Sequence, residues 1–164
     1  DAPRSNYIGG EYRWDTSIVD IGGAAGGGTE DEASMLMTND GLTRVAVALP
    51  VGGWHSDDLV PACVLQTLLG GGNSFSAGGP GKGMYSRLYR QILNPYYWAE
   101  SAEAMAQFYK DTGLFGISAS STPNKSRDAT LVVCEHLLKC KLGLVQDEEL
   151  DRAKHMLKNN VLTQ

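Results

Sequence analysis

The residues able to carry chemistry are few. Histidine occurs three times, as His55, His136 and His155, and cysteine three times, as Cys63, Cys134 and Cys140. A zinc site needs His and Cys ligands gathered at short spacings, and no C-x-x-C pair occurs. His55 stands beside Trp54 at a loop–helix junction. His136 lies on an apolar helix face, where a histidine is more often a hydrogen-bonded core residue than a ligand. His155 belongs to a basic-rich, solvated helical segment. The cysteines all fall in apolar helical patterns, and their odd number reads as buried free thiols in a reducing compartment. No metal ligand is expected.

The unusual chemistry is in the backbone. The chain runs Gly70-Gly71-Gly72-Asn73-Ser74-Phe75-Ser76-Ala77-Gly78-Gly79-Pro80-Gly81-Lys82-Gly83-Met84, and 7 of the 14 residues from Gly70 to Gly83 are glycine. Such a stretch exposes peptide groups and accepts dihedrals closed to other residues. A phosphate cradle would need Gly-x-x-x-x-Gly-Lys-Ser/Thr. Here Gly83 follows Lys82, and Ser76 stands five positions before Gly81. The dinucleotide fingerprint fails at Ser86, where its third glycine belongs. Two readings remain open from spacing alone. One is a peptide-contacting loop whose N–H and C=O groups bond an extended chain beside Phe75 and Met84. The other is a plain surface linker.

Helices and strands must position this segment. Leu42 to Leu49 reads as a strand stopped by Pro50 and Gly52-Gly53, its small residues letting a helix pack closely. Ser56 is expected to cap a helix with Asp57 and Asp58 in its first turn, and Gly70 to end it in left-handed geometry. Tyr85, Leu88, Tyr89 and Ile92 then repeat at helical spacing until Asn94-Pro95, with Arg87 and Arg90 on other faces. Residues 97–109 fit either an alanine-rich helix or an alternating strand. Leu114 to Ser120 is a strand bounded by turn residues. Ala129, Val132, Val133, His136, Leu137 and Cys140 form one helical stripe, and Leu150, Ala153, Leu157 and Val161 another. The order predicts an α+β fold, a two-layer sheet with helices packed on one face. The whole of 1–164 reads as a single, partial domain, truncated at the C-terminus, because Val161 to Gln164 sits in a helical pattern with no stop signal. Residues 15–41, rich in glycine and acids, read as a mobile surface loop.

Composition narrows the partners. The net charge is −5 and the pI about 5.1. Acidity disfavours nucleic acid and suits a cationic partner, or only keeps the chain soluble. No apolar run reaches membrane-spanning length, so no direct membrane span is expected. Asp1-Ala2-Pro3-Arg4 resembles neither a signal nor a transit peptide.

The glycine-rich segment, with Leu65-Gln66-Thr67-Leu68-Leu69 before it and Tyr85-Ser86-Arg87-Leu88-Tyr89 after it, resembles the alpha-subunit branch of the pitrilysin-like (M16) metalloprotease family. Tyr7-Ile8-Gly9-Gly10-Glu11, Asp111-Thr112-Gly113-Leu114-Phe115-Gly116-Ile117 and Glu149-Leu150-Asp151-Arg152-Ala153-Lys154 match further family stretches. The resemblance covers nearly the whole chain except about residues 12–41, and the glycine- and acid-rich stretch 15–41 looks like an insertion. Asn73 stands where a fourth glycine is usual, and asparagine is the best non-glycine substitute in left-handed geometry. Gln146 replaces a usual helix-capping threonine.

The resemblance implies the LuxS/MPP-like metallohydrolase fold and a non-catalytic role in a mitochondrial-matrix heterodimer that cleaves presequences. In that family a beta subunit carries the zinc on an H-x-x-E-H helix, which is missing here. The alpha-type subunit recognises basic presequences through the glycine-rich loop, here Gly70 to Met84. Lys82 would bond peptide carbonyls or steer the loop, or stay solvated. Phe75 and Met84 would meet apolar presequence residues or anchor the loop. Asp147, Glu148 and Glu149 are candidate acids for presequence arginines, or serve their own helix dipole. The alternative that the resemblance allows is a core structural subunit of the cytochrome bc1 complex.

Overall fold

Valines 45, 47 and 51 recur with the period of two that puts them on one side of an extended chain. They line the buried face of strand β1, Thr43–Val51. The computed structural model describes residues 5, 7–13, 41–73, 85–143 and 145–163. The expected insertion, apart from Gly41, lies outside the described residues, as do Ser74 to Met84. After β1 come helix α1 (Leu59–Leu69), the short strand β2 (Gly71–Asn73), a π-helical turn (Tyr89–Leu93), strands β3 (Ala99–Phe108) and β4 (Gly113–Ser121), helix α2 (Ser126–Leu142) and helix α3 (Asp147–Leu162).

The four strands form one antiparallel sheet in the order β1-β4-β3-β2. The α+β expectation holds. Ala102, Phe115, Ile117 and Ala119 face the helical layer, where they meet Leu69, Leu88, Ile92, Ala129 and Val133. Directly opposed residues share a face, so Arg44, Ala46, Ser118, Ser101 and Glu103 lie on the other one. Ser101 and Ser120 hydrogen-bond there, 2.7 Å between their Oγ atoms.

Several local expectations change. The alanines of β1 do not admit a helix. Val47 opposes Ile117 and Val45 opposes Ala119, so valines meet the helices and Ala46 points away. Pro50 does not end the strand, which continues to Val51. β1 is the outer strand of the described sheet, and an edge tolerates a missing N–H. Ser56 acts one turn early: Asp58 N–H donates to its Oγ at 3.2 Å, before a helix that starts at Leu59 with no acid in its first turn. Pro61 suits that first turn, whose N–H groups have no helical acceptors.

Residues 97–109 resolve as strand β3. Ala102, Ala104, Ala106 and Phe108 line the core side, while Glu103 and Gln107 between them are exposed. Pairing with β4 and β2 on its two sides outweighs the helix preference of alanine. The three cysteines are free, but half-buried rather than buried, and Cys140 packs against the core at the end of the α2 stripe.

Candidate functional site

The glycine-rich segment leaves α1 at Gly70. Its N–H closes the helix on the Gln66 carbonyl at 2.7 Å. Gly70 has φ 54° and ψ −129°, so it has the expected positive φ but not the left-handed helical ψ. That combination is open essentially to glycine alone. A Cβ at Gly70 would lie 2.5 Å from Cβ of Ser86, and one at Gly71, φ 121°, 2.0 Å from the Ala102 carbonyl oxygen. Glycine here lets the chain turn flat against strand β3. The Gly70 carbonyl then accepts the Ala104 N–H at 2.8 Å, and Gly71, Gly72 and Asn73 pair with Glu103, Ala102 and Ser101. Asn73 is therefore extended rather than left-handed, and no non-glycine residue has positive φ among those described. Strand geometry is open to any residue, so the fourth glycine is not needed there.

The segment returns at Tyr85, beside its own start. The Gly71 N–H donates to Oγ of buried Ser86 at 3.2 Å. One residue on, the Arg87 guanidinium bonds both carboxylate oxygens of Glu149, at 2.8 and 2.7 Å. These side chains are only 15% and 20% exposed. The Arg152 guanidinium lies 5.7 Å from the centre of the Tyr85 ring. Both ends of the segment are thus held at one place, where α1, the β3 edge and the start of α3 meet.

Each charge in the pair shifts the other. The hydrogen bonds from Arg87 hold the Glu149 carboxyl below its ordinary value of 4.5, against opposing desolvation, and Glu149 raises Arg87 further. The Cys140 thiol close by is pushed up by burial, so it is no ready thiolate. With its pKa depressed only in the folded chain, Glu149 gives stability that is complete above its unfolded value. That contribution is lost as pH falls through the folded value. Wild type and Glu149→Gln are expected to converge in urea-unfolding free energy as pH drops below about 4. A constant difference between them down to pH 2 would contradict this.

Among the candidate acids, Glu149 is committed to Arg87, which corrects its reading as a free acid for presequence arginines. Asp147 and Glu148 are exposed in the first turn of α3. The sequence reading missed Glu103, which is exposed and directly opposite Gly71. Its signal was the polar alternation at Ser101, Glu103 and Gln107, obscured by the helix-like alanines. Ser86 and Arg87 were also missed, since nothing local marks partners 15 and 62 residues away. His136 Nδ1 bonds the Val132 carbonyl at 2.8 Å, whereas its buried Nε2 has no partner among the described residues. His55 and His155 are exposed. No group of three metal-ligating side chains gathers among the described residues.

Residues 29–157 match the family model described as "Peptidase M16 inactive domain", and the chain belongs to this family. Its relatives include the mitochondrial-processing peptidase subunit alpha of Caenorhabditis elegans, 38% identical over 99% of this chain and 29% of that one. The probable alpha-1 subunit of Arabidopsis thaliana is 42% identical over 98% of this chain and 28% of its own length. The Neurospora crassa alpha subunit is 48% identical over 74% of this chain and 22% of its own length. The chain thus spans less than a third of these relatives. A protease from Helicobacter pylori superposes with TM-score 0.63 at 23% identity, over 77% of this chain and 28% of that one. A chain of Complex III2 from Candida albicans gives 0.62 at 20%, over 75% and 29%. At these identities the two structures establish the fold alone.

Proposed function

We propose that the chain is part of the non-catalytic, substrate-recognition subunit of the mitochondrial presequence-cleaving zinc endopeptidase. The segment Gly70 to Met84 holds the presequence in extended form for a beta partner that supplies the zinc and the cutting. Its place is the mitochondrial matrix or the matrix face of the inner membrane. The observation that carries this reading is the shared anchorage of the segment's two ends on the rim of the sheet. Peptide groups tethered at both ends to a rigid rim lose less entropy on gripping a substrate than a free linker would.

Three features support the reading. The alpha-subunit relatives are matched over most of this chain. β2 pairs only with β3 among the described strands, and an extended peptide can add to such an edge. Exposed Glu103, Asp147 and Glu148, with a net charge of −5, suit basic presequences.

The test is made in the full-length subunit, reconstituted with its beta partner. Residues 74–84 are replaced by a bridge of about four glycines and serines, which leaves Gly70 to Asn73 and Ser86 in place. KM for a basic presequence peptide is expected to rise roughly tenfold or more. Unchanged affinity and cleavage would reject the segment's role.

A second reading is a core subunit of the cytochrome bc1 complex with or without processing activity, with which the shared fold of a Complex III2 chain is consistent. Co-purification of the full-length protein with cytochromes discriminates the two.

A further inference from the structure

We infer that Ser86 and Arg87, the latter acting through Glu149, are positioning residues that hold the two described ends of the glycine-rich segment together for its substrate role. The inference rests on the substrate role proposed above and deepens it. The two residues constrain different things. The Ser86 Oγ, 3.2 Å from the Gly71 nitrogen, sets the distance between the segment's two ends. The Arg87 fork, bonded at 2.8 and 2.7 Å to Glu149, sets their orientation against α3. Two parallel N–H···O bonds between planar groups define a plane as well as a distance. Arg152 over Tyr85 braces the same corner from the next turn of α3. Glu149, with both oxygens occupied and its side chain only 20% exposed, is poorly placed to receive a substrate guanidinium.

The pair acts as a unit, so its loss is counted once. In the reconstituted full-length heterodimer, Arg87→Ala and Glu149→Gln are each expected to raise KM for a basic presequence peptide roughly tenfold, with kcat changing less than KM. The double variant is expected to be no worse than either single one. Arg87→Lys keeps the charge without the fork and is expected to stay impaired. The exchanged pair Arg87→Glu with Glu149→Arg is expected to recover most of the loss, which a substrate-contacting carboxylate would not. Ser86→Ala is expected to raise KM independently.

Three results would overturn the inference: KM unchanged in Arg87→Ala, a KM effect confined to Glu149→Gln, or additive losses in the double variant. Should Arg87→Ala fail to fold, Arg87→Lys and the exchanged pair carry the same comparison. The heterodimer with residues 74–84 replaced separates positioning from the substrate role. If that replacement raises KM and the pair variants do not, positioning fails and the substrate role stands. If the replacement leaves KM unchanged, the substrate role fails. Faster proteolysis within 74–84 in Arg87→Ala than in wild type then still supports the anchoring, and equal rates overturn it.

Discussion

Gly71→Ala is expected to detach β2 from the sheet. Gly71 has φ 121°, and an added Cβ would lie 2.0 Å from the Ala102 carbonyl oxygen and 2.5 Å from Cα of Glu103. These are backbone atoms of a paired strand and have no rotamer in which to retreat. The backbone strain alone costs about 1–3 kcal/mol. The contact adds to it unless the three-residue ladder with Glu103, Ala102 and Ser101 opens. A domain of this size loses roughly 2–4 °C of melting temperature per kcal/mol, so a fall of several degrees is expected. The Ala104 amide, bonded to the Gly70 carbonyl at 2.8 Å, is expected to exchange hydrogen faster in the variant. Gly10→Ala is the control, because its added methyl meets nothing within 4 Å. A Gly71→Ala protein with wild-type exchange at Ala104 would show that the segment does not start on this edge.

Ile117→Ala strikes the centre of the fold. Ile117 is fully buried on β4, between Val47 of β1 and Ala104 of β3. Truncating a buried isoleucine costs about 2–5 kcal/mol, depending on how far the surroundings close over the cavity. Here little can close. The β3 neighbours on the same face, Ala102, Ala104 and Ala106, are already short, and the helical layer is held by Leu88, Ile92 and Val133. The upper half of the range is therefore expected, a large share of the roughly 5–15 kcal/mol that stabilises a typical domain. It is read as a shift in urea midpoint with unchanged slope. Ile117→Val is expected to cost only about 0.5–1.5 kcal/mol. An Ile117→Ala loss below about 1 kcal/mol would mean that the helices settle onto the sheet freely.

The local patterns were legible where burial follows one period. The stripe Ala129, Val132, Val133 and His136 is buried as its spacing indicates, and Asp147, Glu148 and Glu149 do occupy the first turn of α3. β3 was ambiguous because Ala99, Ala102, Ala104 and Ala106 carry the propensity of a helix and the alternation of a strand. Only two flanking strands decide between them. The helical spacing from Tyr85 to Ile92 placed Leu88 and Ile92 correctly in the core, but Tyr85 stands 70% exposed ahead of the turn. The Asn94 N–H reaches the Tyr89 carbonyl five residues back, and a spacing rule for α-helices does not anticipate that wider turn.

By itself the sequence determined the helical stripe of α2, that of α3 except its last member Val161, which is 67% exposed, the strand β4, the run of glycines and the family to which that run points, since each is written in neighbouring residues. Tertiary structure decided that the run starts as a sheet edge, that its far end returns to Gly71, and that Arg87 spends its charge on Glu149. Those outcomes join residues 15 and 62 positions apart. A hydrogen bond depends on where the folded layers bring two groups, and no local preference of either residue encodes that distance.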